Sequence, residues 1–195
     1  MRDRIRSFYR WILTWADYRY AWAILSVLAF SEASFMPIPP DVFLIALCLG
    51  KPKNSFYYAL LCSITSVLGG VVGYGIGMFL WGSVDDVVFR YLFSRESFEH
   101  VGRLYNANAF WATFIAGYTP IPYKVFTLSA GAFGVSFWGF FWGSVVGRSM
   151  RFFLVGGIIY VLGQRAREFL DKYLHQIILA SSVAIVCAVI FLRWL

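Results

Sequence analysis

From residue 55 to residue 81 the chain carries no charged side chain. About 20 apolar residues are enough for a helix to cross a bilayer, so this stretch spans with some tilt. A chain committed to lipid must satisfy its backbone internally, which leaves helices or a closed barrel. Gly69, Gly70, Gly73, Gly75 and Gly77 give the segment a flat face for close helix contact. The Gly73, Gly75, Gly77 series is not a dinucleotide loop, because no strand precedes it and its third glycine is misplaced. Composition agrees with a lipid solvent. The chain is 60% hydrophobic and 14% charged with mean hydropathy +0.68, whereas a soluble domain is about 25% charged.

The other apolar runs are shorter and interrupted. Residues 20–50 turn apolar, meet Glu32, then break at Pro37, Pro39 and Pro40 before a second short run. Neither half reaches a spanning length, which predicts a re-entrant hairpin; the rival is one long kinked span. Residues 109–134 repeat the plan around Pro120 and Pro122. Residues 136–163 form a second span-length segment that contains Arg148 and Arg151, and residues 174–195 a third. Between the first span and the second hairpin, residues 82–108 form the long polar interval, read as a loop and surface helix in which His100 is solvated.

At the start, Arg2, Arg4, Arg6 and Arg10 against Asp3 give the first ten residues a net +3. Phe8, Trp11, Ile12 and Trp15 recur at helical spacing, so residues 1–18 read as an interfacial helix. This opening lacks a sustained apolar core and a small-residue cleavage site, so it is expected to remain in the mature protein. Cys48, Cys62 and Cys187 lie in apolar stretches without a pairing motif and read as small buried hydrophobes, not disulfides or metal ligands. The net charge of +7 sits at segment ends instead of forming a stripe, which favours anionic lipid over nucleic acid as partner.

The two breaks are copies of one motif. FMPIPPDVFLIAL from Phe35 matches YTPIPYKVFTLSA from Tyr118 at a constant offset, and each is followed by a Ser-Phe pair, Ser55-Phe56 and Ser136-Phe137, opening a long helix. With hairpins that do not cross, one span separates the repeats, so the second enters from the opposite face. Inverted repeats of this kind are a transporter device. Loop charges give an independent orientation, since short cytoplasmic loops are rich in Lys and Arg. With the N-terminus inside, Lys51 and Lys53 fall inside, the net-negative interval 82–108 outside, and Arg165, Arg167 and Lys172 inside, leaving the C-terminus outside.

Within the matched motifs Asp41 faces Lys124. Charges beside a break at membrane depth are costly and need pairing, water or a function, so Glu32, Asp41, Lys124, Arg148 and Arg151 make a candidate polar centre for substrate binding or proton coupling. Arg148 and Arg151 share one helix face, and arginine's planar fork suits phosphate. Two structural alternatives stand beside this reading. Asp41 and Lys124 can cap helix starts or snorkel to the interface, and the arginines can pair with Glu32 and Asp41 merely to hold helices together.

These residues resemble the DedA family, also called the SNARE-associated or VTT-domain membrane proteins, and especially its YqaA-like branch. The carriers are Glu32 before a proline-rich break closed by Asp41, the second break GYTPIPYK followed by Ser129, Ala130 and Gly131, and the segment from Arg148 to Arg151. The resemblance implies two oppositely oriented re-entrant hairpins and lipid transport or flipping. In bacteria that means undecaprenyl phosphate, or a related polyprenyl phosphate, carried across the inner membrane with proton coupling. It also implies functional acids at Glu32 and Asp41. The family's two arginine positions near the second break fall on Gly117 and Tyr123 here, with Lys124 one residue beyond, so Arg148 and Arg151 are candidates to take over the anion.

The expected architecture is therefore an all-α integral membrane protein with two inverted repeats, each a re-entrant hairpin plus a transmembrane helix. A C-terminal transmembrane helix and an N-terminal interfacial helix complete the single domain. The expected partners are the bilayer and an anionic lipid or polyprenyl phosphate, with a homo-oligomer admitted and no cofactor or metal required. An ion or small-solute carrier and a non-catalytic membrane scaffold use the same residues. An enzyme is not expected: HExxH and GxSxG are absent, and His100 and His175 stand near polar segment ends with no candidate nucleophile beside them.

Overall fold

A computed structural model describes residues 20–34, 39–91, 95–119 and 121–162, and among these the chain is all-helical. The expected interfacial helix at 1–18, the last span at 174–195, and the break prolines Pro37 and Pro120 lie outside the described residues. In chain order the helices are α1 (Ala21–Ser34), α2 (Pro40–Gly50), α3 (Ser55–Tyr91), α4 (Arg95–Ala107), α5 (Ala109–Tyr118), α6 (Tyr123–Ala132) and α7 (Phe137–Leu162). A 3-10 turn, Pro52–Asn54, joins α2 to α3.

Length sorts these helices. At 1.5 Å per residue the 37 residues of α3 and the 26 of α7 exceed the roughly 30 Å of a hydrocarbon core, whereas α1, α2, α5 and α6, with 14, 11, 10 and 10 residues, do not. Two helices are therefore long and apolar enough to span a membrane, over Pro52–Gly82 and Phe137–Leu162. Helix α3 does not stop at Trp81, where the apolar run ends, but continues to Tyr91. No proline follows within that stretch, and acidic residues such as Asp85 and Asp86 do not by themselves end a helix.

The two long helices cross the bundle antiparallel. Phe56 packs on Tyr160 at one end and Tyr74 on Phe137 and Phe140 toward the other. Helix α1 runs in the direction of α3, with the Phe30 carbonyl against Gly69 and that of Ala33 against Gly73. Helix α5 runs in the direction of α7, with Ala109 against Gly139 and Phe114 against Gly147. After each break the chain returns on the other long helix. Asp41 and then Phe43, Leu44 and Leu47 of α2 accompany Arg151, Phe152 and Ile159 of α7. Tyr123, Thr127 and Leu128 of α6 follow Gly70, Gly73 and Gly77 of α3.

The glycines of α3 are what admit α1 and α6. A Cβ at Gly69 would collide with the Phe30 carbonyl, and one at Gly77 with that of Leu128; on the facing side Gly131 lies against the Tyr74 carbonyl. Small residues drive such contacts in lipid, where close van der Waals packing replaces the hydrophobic effect between helices. Gly134 closes α6 in a turn with φ +60, a left-handed conformation that glycine adopts without strain. Facing outward are Leu60, Ile64, Leu68, Val72, Met150, Leu154 and Ile158, an exposed apolar band of the kind water does not tolerate. Exposed aromatics mark both ends of the long helices: Phe56, Tyr57 and Tyr160 at one, Trp111, Phe137 and Trp138 at the other.

Candidate functional site

Both described break ends use the same local device. Pro39 and Pro122 sit extended as the residues before α2 and α6, at φ −68, ψ 121 and φ −60, ψ 98. Proline fixes that φ and has no N–H to leave unsatisfied, so a helix restarts at once. Pro40 occupies the first turn of α2 beside Asp41. Neither helix start has a side-chain cap hydrogen bond, so Asp41 is not held there as a cap. Its carboxylate instead leaves its own helix for α7.

Helix α7 carries the cations and the breaks bring them acids. Arg148 is 2% exposed; its Nη2 donates to Glu32 Oε2 at 2.7 Å and its Nε to Ser66 Oγ at 2.6 Å. The guanidinium carbon lies 4.8 Å from the centroid of the Tyr123 ring and 4.7 Å from that of Phe152. A planar cation against aromatic rings is favourable in a desolvated place. Tyr123 is fully buried, and its hydroxyl donates to Ser144 Oγ at 2.5 Å. Glycine at 117 keeps the neighbouring wall thin, because a Cβ there would come within 3.3 Å of the Arg148 backbone nitrogen.

Three residues on, Arg151 is built differently. Its Nε and Nη2 form a fork on Asp41, to Oδ1 at 3.2 Å and Oδ2 at 2.6 Å, while Nη1 donates to the Thr119 carbonyl at 2.6 Å. Both side chains of this pair keep about a fifth of their surface open, at 20% and 21%. One guanidinium therefore touches the residues bordering both breaks.

Of the five charged residues singled out in the sequence, four form two pairs: Glu32 with Arg148 and Asp41 with Arg151. Lys124 is partly buried in the first turn of α6 and has no ion pair or hydrogen bond from its ammonium among the described residues. The carboxylate of Asp41, the residue that matches Lys124 in the repeat, is engaged on α7 instead. Pro39 is exposed and Pro40 buried.

Sequence reasoning missed Ser66, Phe152, Ser144 and the Thr119 carbonyl. A serine inside a spanning helix is a weak polar signal in its own right. Nothing local distinguishes Phe152 from the chain's other phenylalanines.

Away from this centre, Tyr105 of α4 accepts from Thr113 Oγ1 at 3.1 Å and donates to the Phe126 carbonyl at 3.1 Å, tying α5 to α6. Burial pushes its phenol up to about 12, with the Thr113 hydrogen bond opposing. A shallow surface cavity lies beside it, lined by Glu99, Gly102, Arg103, Asn106, Ala132 and Phe133. Ala132 and Phe133 stand at the far end of α6 from the second break, so the cavity is remote from the charged pairs.

A model of the VTT domain matches residues 38–161, more than half of the chain and all of the charged centre except Glu32. A protein of Haemophilus influenzae is 34% identical over 179 residues, 92% of each chain. One of Histophilus somni is 31% identical over 181 residues, 92% of this chain and 93% of its own. Both are described as uncharacterized proteins. No solved structure matches the chain. The chain belongs to the VTT-domain family, also known as DedA or SNARE-associated, a membrane-associated family whose membership suggests a transporter-like function.

Proposed function

We propose that this protein moves a lipid phosphate, such as undecaprenyl phosphate, across a bacterial inner membrane, with Glu32 and Asp41 linking the movement to protons. The observation that carries the reading is the pair of carboxylate–arginine contacts tying both proline breaks to one spanning helix. Their depth supports a role in transport. From Trp138 to Tyr160 a helix rises about 33 Å, and Arg148 stands about 15 Å from the first and about 18 Å from the second. Aromatic residues favour the two membrane interfaces, so these pairs lie near the midplane, where charge is costly and usually functional.

The antiparallel exchange of partners supports the inverted-repeat architecture. Helix α1 follows α3 and its return arm follows α7, while α5 follows α7 and its return arm follows α3. In this reading each short helix pair enters the bilayer and returns to its own side, with the irregular tips sheltered by the long helices. The N-terminus is cytoplasmic and the C-terminus external. As a proton arrives, Asp41 releases Arg151, and the freed guanidinium takes substrate oxygens.

The test is a flip assay in proteoliposomes with an imposed pH gradient and a polyprenyl phosphate as cargo. Flux above protein-free vesicles, dependent on the gradient and lost in Arg151→Ala at unchanged protein level, is the expected result. Flux equal to that of empty vesicles would sink the proposal. A scaffold predicts instead that every loss of function in Glu32→Gln or Asp41→Asn follows loss of the protein from the membrane.

A further inference from the structure

We propose that the two arginines divide the work: Arg151 is the cation that takes a ligand oxyanion, and Arg148 is a positioning residue that never leaves its partners. This rests on the lipid-phosphate reading and names which group of that site meets the phosphate. Arg148 is closed to a ligand. Two rings, Tyr123 and Phe152, pack on its guanidinium, its Nε and Nη2 are engaged by Ser66 and Glu32, and it is 2% exposed. Freeing it means unpacking Tyr123, which is itself fully buried and bonded to Ser144.

Arg151 presents the opposite case. It is ten times more exposed, at 20%, and among the described residues no ring covers it. Its fork already holds two oxygens of a carboxylate. A phosphate offers two oxygens in the same arrangement and replaces Asp41 like for like. Lys124, five residues past Thr119 and without a partner among the described residues, supplies a second positive charge at the same break.

The contact to Thr119 gives the exchange a structural consequence. Asp41 borders the first break and Thr119 the second, so one guanidinium ties both. An oxyanion that claims it releases Asp41 and competes with the Thr119 carbonyl in the same event. Among the described residues, the start of α2 is then held through Pro40 and the apolar contacts of Phe43, Leu44 and Leu47 further along. Arg148, with Glu32 and Ser66, keeps α1, α3 and α7 together while the breaks part.

The experiment uses the full chain in neutral phosphatidylcholine nanodiscs, titrated by calorimetry with dodecyl phosphate and separately with inorganic phosphate. Asp41 competes with the ligand, so Asp41→Asn is expected to bind dodecyl phosphate at least threefold tighter than the unaltered protein. Arg151→Gln is expected to lose at least tenfold. Phe152→Leu, which loosens the clamp on Arg148 and the core beside it but alters no charged group, is expected to lower the Tm and keep Kd within twofold. Binding of dodecyl phosphate alone identifies a lipid headgroup as the source, and equal binding of inorganic phosphate identifies the free ion.

A folded Asp41→Asn that binds no tighter overturns the assignment, as does an equal gain in Glu32→Gln, which would move the site to Arg148. If Asp41→Asn fails to fold, spin labels at positions 42 and 125, with the native cysteines replaced by alanine, decide. Ligand must lengthen their distance, and an unchanged distance under saturating ligand refutes the tie. Gradient-driven flux without the Asp41→Asn gain leaves transport standing and removes only this inference. Absence of both flux and binding removes both.

Discussion

Removing Glu32 while leaving Arg148 in place isolates the most buried charge in the described bundle. In Glu32→Ala the guanidinium keeps Ser66 and its two rings but loses its only described counter-ion. Breaking one partner of a buried pair costs about 3 to 5 kcal/mol, because an uncompensated charge remains. At 1.36 kcal/mol per factor of ten, that changes the folded-to-unfolded ratio by roughly 150-fold or more. For a chain of this size it corresponds to a Tm lowered by roughly 6 to 20 °C. The same truncation at Asp41, whose pair is a fifth exposed, is expected to cost about 1 to 2 kcal/mol, since water reaches the orphaned Arg151. Thermal unfolding followed by circular dichroism in one detergent compares the two. The double variant Glu32→Ala/Arg148→Met completes the cycle and is expected to recover much of the loss, because it leaves no buried charge. Equal losses at Glu32 and Asp41, or a double variant as unstable as the sum of its singles, would refute the reasoning.

The packing makes sharper demands at some glycines than at others. Gly131→Ala drives a methyl group into the Tyr74 carbonyl and the Met78 nitrogen and is expected to cost about 1 to 3 kcal/mol, whereas Gly75→Ala meets nothing within 4 Å and is expected to stabilise by about 0.5 to 1 kcal/mol, both read as Tm. Gly134→Ala places a Cβ at φ +60 and is expected to lose about 1 kcal/mol, with Gly134→Asn losing less, again by thermal unfolding. Tyr105→Phe removes both ties to α5 and α6 at a cost of about 1 to 2 kcal/mol near neutral pH. The Tyr105 phenol ionises near 10 when unfolded and near 12 when folded, so its stabilising effect is complete below pH 10 and lost as pH rises through 12; unfolding curves for Tyr105→Phe should show a shallower decline over that window.

How much of this was legible in the chain follows from the range over which each property is set. Hydrophobic length is local, so residues 55–81 and 136–163 disclosed two helices long and apolar enough to span a membrane, and Pro39 and Pro122 marked restarted helices that the structure places one residue later, at Pro40 and Tyr123. The matched motifs at the breaks and the misfit of Glu32, Asp41, Lys124, Arg148 and Arg151 in an apolar chain were equally visible. Partnership was not. Glu32 meets Arg148 across 116 residues and Asp41 meets Arg151 across 110, and helical spacing alone permits either arginine with either acid. The tertiary structure chose by depth: the glycine contacts of α1 on α3 set the height of Glu32, and the apolar packing of α2 with α7 sets that of Asp41. It also separated two arginines that look alike in the sequence. One faces Tyr123 and Phe152 in the packed interior, the other the open junction of the breaks, because a shift of three residues along a helix raises a side chain about 4.5 Å and turns it toward different neighbours.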